Sequence, residues 1–225
     1  MNLLIWLSLI LSLLLLTVFP FVLGEAMIVS LGKLHISPGM AIVIAAGVFV
    51  GGLVNIPIAR LEREDEVAIE PLAIFGFAGW GPQIRRVRRT TIVAVNLGGC
   101  LIPTALVLYE LVYVAMAAPA VLWAAGASSA VSIGVCYLIA RPAPGVGIVV
   151  PGLVPAFVAT ILALVLAPDH APPVAFIAGV LGPLIGADLL HLKEISKIGS
   201  AMVSIGGAGT FDGIVLSGIM AAYLA

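Results

Sequence analysis

Long apolar runs alternate with short polar connections along almost the whole chain. A hydrocarbon core of about 30 Å needs about 20 apolar residues in one helix, so runs of this length predict membrane-spanning helices. Seven is the predicted number, with six or eight as the alternatives, because prolines, glycines and serines interrupt the fourth run. The runs lie at residues 2–23, 39–59, 91–112, 119–140, 148–167, 172–190 and 200–224. The pattern therefore predicts an all-α, polytopic helix bundle that forms one transmembrane domain over residues 1–225.

The composition excludes an ordinary soluble domain. Of the 225 residues, 62% are hydrophobic and only 9% are charged, whereas a soluble domain carries about 25% charged residues. Ten Lys and Arg residues against eleven Asp and Glu residues leave a net charge of −1. This balance provides no basic excess for binding nucleic acid, and the lipid bilayer is the expected partner.

The first apolar run is predicted to be a retained helix and not a cleaved signal peptide. Residues 1–2 supply no basic side chain, the run is longer than a signal sequence requires, and no small-x-small cleavage site follows it.

The distribution of basic residues predicts the orientation of the chain. If the spans alternate in direction, nine of the ten Lys and Arg residues lie on one face, and only Lys33 lies on the other. Basic loops remain cytoplasmic, so the N-terminus is predicted to be cytoplasmic and the C-terminus outside. The nine residues are Arg60, Arg63, Arg85, Arg86, Arg88, Arg89, Arg141, Lys193 and Lys197.

Residues 60–90 form the only sizeable polar connection. The segment starts with mixed charges, ends in an arginine cluster, and encloses Phe75, Phe77 and Trp80 among glycines. We expect a cytoplasmic interfacial loop that seats these aromatic rings at the membrane surface, with its arginines on anionic headgroups. A substrate-gating or partner-docking loop is the alternative interpretation.

Asp188 and Asp212 are the two acids that remain inside predicted spans once the others are assigned, one in each of the last two. An ionisable side chain in lipid is expensive and therefore indicates a functional site. The other acids fall in connections, as Glu25 does, or near a helix end, where Glu110 is expected to reach water. The two aspartates are thus the candidate catalytic residues.

A glycine-rich stretch, Ser204–Gly213, precedes the second aspartate. Its glycines weaken a helix and allow close approach of a neighbouring segment, so the last helix is predicted to be broken or re-entrant at its start. Non-helical backbone at membrane depth is tolerated where it is buried in protein or lines a wet cavity. The residues expected to line a substrate site or polar pathway are Asn96, Ser204, Gly207, Gly209 and Thr210.

The histidines and cysteines do not indicate a metal or cofactor site. The three histidines, His35, His170 and His191, are scattered, and neither they nor Cys100 and Cys136 have zinc-ligand spacing. The sequence therefore predicts no metal and no cofactor.

Three motifs resemble a prokaryotic family of integral membrane proteins known only as a domain of unknown function. They are the Asn-x-Gly-Gly…Ile-Pro run at 96–103, Gly-Ala-Asp at 186–188, and Ser-Ile-Gly-Gly-Ala-Gly-Thr-Phe-Asp-Gly-Ile at 204–214. The resemblance covers nearly the whole chain and implies a multi-pass protein of the prokaryotic cytoplasmic membrane. It implies no mechanism.

A second resemblance, of topology, is to intramembrane aspartyl proteases of the presenilin and prepilin-peptidase kind. These enzymes place one aspartate on each of two neighbouring helices, as Asp188 and Asp212 are placed here. The chain departs from the presenilin pattern because Thr210 and Phe211 separate Gly207-Ala208-Gly209 from Asp212, and because no later Pro-Ala-Leu element follows.

Three functions are compatible with the sequence. An intramembrane hydrolase would use the two aspartates as acid and base, acting on a membrane-protein substrate. This requires the glycine-rich stretch to lie outside the helix, because a regular helix would carry Asp212 about 20 Å beyond Gly199. A transporter or channel would use Asn96 and both aspartates along an ion pathway. A non-catalytic scaffold would pair the aspartates with Asn96, Ser204 or a partner chain.

Overall fold

The computed structural model describes residues 3–69, 83–143, 147–195 and 201–225. Within these ranges the chain is mostly helical. Four segments are long and apolar enough to cross a membrane, and they are Ile5–Lys33, Leu97–Ala117, Pro119–Ile139 and Pro168–Leu189. The chain is therefore a membrane protein, as its composition predicts.

Three of the predicted spans form helices that are shorter than a membrane core. The helices Pro38–Gly51 and Leu153–Leu166 have 14 residues each, and Gly213–Leu224 has 12. At 1.5 Å per residue these helices are about 18–21 Å long, against about 30 Å for the hydrocarbon core. The described residues thus contain four full-length candidate spans and three shorter apolar helices in place of seven equal spans.

The helices are named in chain order. They are α1 (Leu3–Lys33), α2 (Pro38–Gly51), α3 (Ile102–Ala117), α4 (Leu122–Ile139), α5 (Leu153–Leu166), α6 (Ala171–Leu181), α7 (Leu192–Ile195) and α8 (Gly213–Leu224). Wider π-helical turns extend two of them, at Leu97–Leu101 before α3 and at Gly182–Leu189 after α6. Short 3₁₀ turns occur at Pro119–Val121, Pro168–His170 and Gly209–Phe211.

The expectation of an all-α protein is wrong for part of the chain, because five strands are present among the described residues. They are β1 (Asn55–Ile69), β2 (Gln83–Asn96), β3 (Arg141–Ala143), β4 (Gly147–Val149) and β5 (Met202–Ile205). β1 and β2 form an antiparallel ribbon, and β5 pairs in parallel with β2, which gives the order β1-β2-β5. β3 and β4 form a separate antiparallel hairpin.

The ribbon takes up residues 60–69 and 83–90 of the expected loop, and also the adjoining ends of the second and third predicted spans. Its β2 strand contains the run Thr90–Val93, in which all four residues are β-branched, and such residues favour a pleated strand. Pro57 lies in β1, which is an edge strand, where proline is tolerated. Apolar character alone does not separate a strand from a buried helix. Phe75, Phe77 and Trp80 lie outside the described residues.

Helix α6 forms the centre of the bundle. Its residues Pro173–Val180 are all buried, which is typical of a helix that is apolar on every side. Helices α3, α4, α5 and α8 pack around it. Ser217 Oγ of α8 donates to the carbonyl oxygen of Gly179 at 2.5 Å, while Gly182 and Gly186 face α4. The small residues Gly179, Gly182 and Gly186 of this segment therefore pack against helices of the same chain.

A cluster of glycines joins three segments at one end of the bundle. A side chain on Gly98 would overlap the backbone at the end of α2, and one on Gly99 would overlap the carbonyl group of Gly206. Gly206 follows β5 and has φ +71°, a left-handed conformation that favours glycine. The three backbones approach so closely that only glycine fits at these contacts.

Only the second half of α1 packs on the bundle. Leu23, Met27 and Leu31 are buried, and Ser30 Oγ donates to the carbonyl oxygen of Ile219 at 3.0 Å. Glu25 lies within this helix, and not in a connection as the apolar run predicted. The first half of α1 exposes its large apolar side chains, as a helix in contact with lipid does.

Glu110 is fully buried, although the sequence placed it where it could reach water. It lies in α3 with 0% of its surface exposed, and both of its carboxyl oxygens lack a hydrogen-bond partner among the described residues. The prediction that Glu110 reaches water is therefore wrong, because its face of α3 also carries Val107 and Val114 and turns inward.

We expect Gly99→Ala to destabilise the fold, because the added methyl group would overlap the carbonyl group of Gly206. Overpacking of this kind typically costs about 1–3 kcal/mol. Gly134→Ala is the matched control, since a Cβ there would meet nothing within 4 Å. Thermal unfolding of the purified proteins in detergent measures both. Equal unfolding midpoints for the two variants would contradict the close contact.

We expect Glu110→Met to leave the fold at least as stable as the wild type. A buried polar group without a partner costs about 1–3 kcal/mol, and methionine fills a similar volume without that cost. The same unfolding measurement checks this expectation. A fall of several degrees in the unfolding midpoint would mean that a polar partner holds Glu110.

Candidate functional site

Asp188 and Asp212 line one cavity of about 560 Å³ at the strand-bearing end of the bundle. The end of the α6 segment, β4, β5 and the start of α8 form its walls. Both aspartates are partly exposed. The structure thus brings the two predicted catalytic residues to the same cavity.

Asp188 is positioned by the π-helical end of the α6 segment. Pro183 lacks a backbone N–H and lies in the first turn of this wide helix, where regular α-helical bonding is interrupted. His191 is buried, and its Nδ1 lies 3.1 Å and 3.0 Å from the carbonyl oxygens of Gly186 and Ala187. The backbone N–H of Gly206 donates to the carboxylate of Asp188. Asp188 is therefore held between α6 and the turn after β5.

Asp212 is positioned by the glycine-rich stretch, which interrupts the helix as its composition predicts. Residues Met202–Ile205 form β5, Gly209–Phe211 form a 3₁₀ turn, and α8 begins only at Gly213. Asp212 is the N-cap residue of α8. Its Oδ1 accepts from the N–H of Ile214 at 3.0 Å, and its Oδ2 accepts from the N–H of Ala208 at 3.3 Å. The glycine-rich stretch thus places Asp212 at a helix start.

The two carboxyl groups belong to the same cavity, and neither has a basic side chain beside it among the residues that line this cavity. Two acids that share one site tend to hold one proton between them, because both cannot be ionised comfortably. Within the described ranges, no group of three or more His, Cys, Asp or Glu side chains is placed to hold a metal ion. The arrangement is thus a pair of carboxyl groups and is suited to proton transfer.

A network of asparagine and serine side chains forms the wall beside β5. Asn96 Nδ2 donates to Asn55 Oδ1 at 3.0 Å and to the carbonyl oxygen of Gly52 at 2.8 Å. Ser204 Oγ donates to the same Asn55 Oδ1 at 2.6 Å. Because Asn55 and Asn96 are paired in the ribbon and Ser204 is in β5, the network ties all three strands together.

The predicted lining residues divide into two groups. Ser204 and Gly207 line the cavity. The other three are not among the residues that line this cavity, and their role in a substrate site or polar pathway stays a prediction. Asn96 is fully buried and caps the π-helical turn, Gly209 has φ +60° and packs on Gly52, and Thr210 is buried. Asn96, Gly209 and Thr210 therefore lie behind the residues that line the cavity and support them.

Asn55 is a cavity residue that the sequence argument missed. It is the only Asn, Gln or charged residue in the predicted second span, 39–59, so the reasoning that selected Asn96 would also have selected it. The backbone donors Gly206 and Ala208 were missed as well. They depend on the conformation of the turn, which residue types alone do not reveal.

The motifs that carried the family resemblance meet at this cavity. Asn96–Gly99 supports it, Asp188 and Asp212 line it, and residues 204–214 form much of its wall. A family model described as a protein of unknown function (DUF1614) matches residues 49–224. This chain belongs to the DUF1614 family. The resemblance to a family of unknown function is thereby confirmed.

No curated protein and no solved structure matches this DUF1614 chain. The DUF1614 match covers β1, β2 and all later elements, but not α1 or most of α2. The cavity and its supporting glycines are thus contained within the matched region.

We expect Asp212→Ala to lower the free energy of unfolding by about 1 kcal/mol, because an N-cap side chain is lost. Asp212→Ser keeps a capping oxygen and is the matched control, which should retain most of the stability. Chemical unfolding in detergent compares the two. If both variants are as stable as the wild type, Asp212 does not cap α8.

Proposed function

We propose that this DUF1614 protein is an intramembrane aspartyl hydrolase that cleaves peptide bonds in apolar segments of membrane proteins. The observation that supports this most is that Asp188 and Asp212, from two different elements, line one cavity. The presenilin-like arrangement noted in the sequence agrees with the proposal by analogy of topology only.

In the proposed reaction the pair divides into a base and an acid. One carboxylate takes a proton from a water molecule as the water oxygen attacks the scissile carbonyl carbon. The other aspartic acid gives its proton to the carbonyl oxygen. The tetrahedral intermediate then collapses, the C–N bond breaks, and the leaving nitrogen takes up a proton from the pair. General acid and base groups of this kind contribute about 10²–10⁴-fold each.

The depth of the cavity favours an intramembrane substrate. The cavity runs along the α6 segment from Pro183 to Asp188, and both positions lie within the candidate span Pro168–Leu189. Since the stretch before Asp212 is strand and turn, the separation expected for a regular helix does not arise. The cavity can therefore admit water at a depth where the surrounding surface is apolar.

The shape of the wall favours a polypeptide over a small molecule. β5 is an edge strand of the sheet, and all of its residues line the cavity. Ile92 N–H donates to Ala201, so the alternate residues Met202 and Ser204 direct their backbone groups away from β2. Extended peptides bind such edges by adding a strand.

The proposed location follows from the charge pattern. The ribbon, Arg141 in β3 and the short helix α7 all lie at the end of the bundle that carries the cavity. If basic residues remain cytoplasmic, the cavity opens toward the cytoplasm, with the N-terminus inside and the C-terminus outside. The family resemblance supports the proposal that this membrane is the cytoplasmic membrane of a prokaryotic cell.

An ion- or proton-coupled transporter is the second candidate. The observation that favours it is the non-regular backbone around the cavity, which includes π-helical turns and the segment between β5 and α8. Broken helices beside carboxylates are typical of ion sites in secondary transporters. A non-catalytic scaffold role would instead use Asp212 only as a helix cap.

We expect Asp188→Asn and Asp212→Asn each to reduce cleavage at least about 100-fold. The measurement is cleavage of a panel of single-span model substrates co-expressed with the protein and carrying a reporter tag at each end. Asparagine also serves well as an N-cap, so Asp212→Asn should keep α8 intact. Asp169→Asn is the control, because Asp169 is exposed and lies in the turn before α6.

Full cleavage by either variant would contradict the proposal. Absence of cleavage by the wild type, together with proton- or cation-dependent uptake into proteoliposomes that both variants abolish, would favour the transporter. Loss of thermal stability without loss of either activity would favour the scaffold.

A further inference from the structure

We propose that the side-chain amide of Asn55 is a substrate-binding hydrogen-bond donor, directed at the carbonyl oxygen of the peptide bond that is cleaved. This inference rests on the proposed hydrolase function and names one more residue that contacts the substrate. Neither the family nor the sequence argument assigns Asn55 a role.

The hydrogen-bond network fixes which way the Asn55 amide points. The backbone N–H of Gly99 donates to Asn96 at 2.7 Å, so the Asn96 atom it meets must be the oxygen Oδ1. The other atom of Asn96 is then Nδ2, which meets the carbonyl oxygen of Gly52. Because Asn96 Nδ2 is a donor, the Asn55 atom that it contacts must be the oxygen.

The oxygen of Asn55 is fully engaged by this network. It accepts from Asn96 and also from Ser204 Oγ, and a carbonyl oxygen has two acceptor positions. The amide nitrogen, with its two N–H groups, therefore points away from Asn96 and Ser204. Asn55 itself lines the cavity, and its amide is in a position to donate to a molecule bound there.

The other described polar side chains of the cavity have other roles, since the two aspartates are the acid and base of the proposed reaction and Ser204 holds Asn55. Asp188 and Asp212 accept from backbone N–H groups, and the Ser204 hydroxyl donates to Asn55. The N–H groups of Gly206 and Ala208 are committed to the two carboxylates. The Asn55 amide is thus the side-chain donor in this wall that the hydrogen-bond network leaves free to donate to an oxygen atom of a bound ligand.

The chemistry of the proposed reaction needs such a donor. Negative charge develops on the scissile carbonyl oxygen as water attacks, and a neutral donor stabilises that charge without disturbing the carboxyl pair. A preorganised donor of this kind is worth about 10²–10³ in kcat. The site that holds Asn55 in place is rigid because Asn96 and Ser204 come from two other strands.

The test compares Asn55→Asp and Asn55→Ala with the wild type, using the purified proteins in detergent and varied concentrations of a tagged substrate that the wild type cleaves. Asp keeps an oxygen for Asn96 and Ser204 but loses the N–H donors, and Ala removes the side chain without adding charge. We expect both variants to lower kcat about 100-fold, with KM changed by less than about threefold, and Asn55→Asp to keep the wild-type unfolding midpoint. A merely structural role would lower stability and expression and leave kcat of the folded protein unchanged.

The outcomes separate the inference from the proposed function. If Asp188→Asn abolishes cleavage while either folded Asn55 variant keeps wild-type kcat, the role of Asn55 is overturned and the hydrolase stands. If Asp188→Asn cleaves normally, the hydrolase itself fails.

A statine-containing apolar peptide with a diazirine beside its hydroxyl group gives a test on the wild-type protein. Adducts at Asn55 or β5 support the inference, and adducts confined to lipid-facing α1 contradict it.

Discussion

The close contact between the backbone at Gly98–Gly99 and the turn at Gly206 is the constraint on which the site depends. It brings the start of the α3 segment against the residues that follow β5, with no side chain between them. The pairing of β5 with β2 follows from this contact, and so does the direction in which the chain leaves β5 toward Asp212. The N–H of Gly206 also binds Asp188. One glycine contact therefore links both halves of the carboxyl pair.

The sequence predicts the membrane character, the position of most helices and the break before α8. Apolar runs and glycine clusters determine these features locally. The ribbon is not predictable in the same way, because Asn55–Ala59 and Thr91–Val95 are as apolar as the helices that they adjoin. Only pairing between segments distant in sequence makes them strands. Helices α5 and α8 are also shorter than their apolar runs, because residues before each of them form a strand instead, β4 before α5 and β5 before α8.

The candidate site was predictable for its acids but not for its neutral residues. Asp188 and Asp212 stand out because charge is costly in lipid. Asn96 stands out for a similar reason, yet it supports the wall from behind while Asn55 lines the cavity. Two asparagines of equal polarity differ only in the direction of their side chains. That direction comes from the Gly99 N–H, which the sequence does not reveal.

The proposed function requires that Asp188 and Asp212 face each other across one cavity that water can enter. The most direct measurement replaces both with cysteine, after Cys100 and Cys136, which are buried and unpaired, have been changed to serine. In native membranes the account predicts that a water-soluble maleimide labels both cysteines and that a short bifunctional thiol reagent joins them. Cysteines that resist the water-soluble reagent, or that cannot be joined by the short reagent, would contradict it.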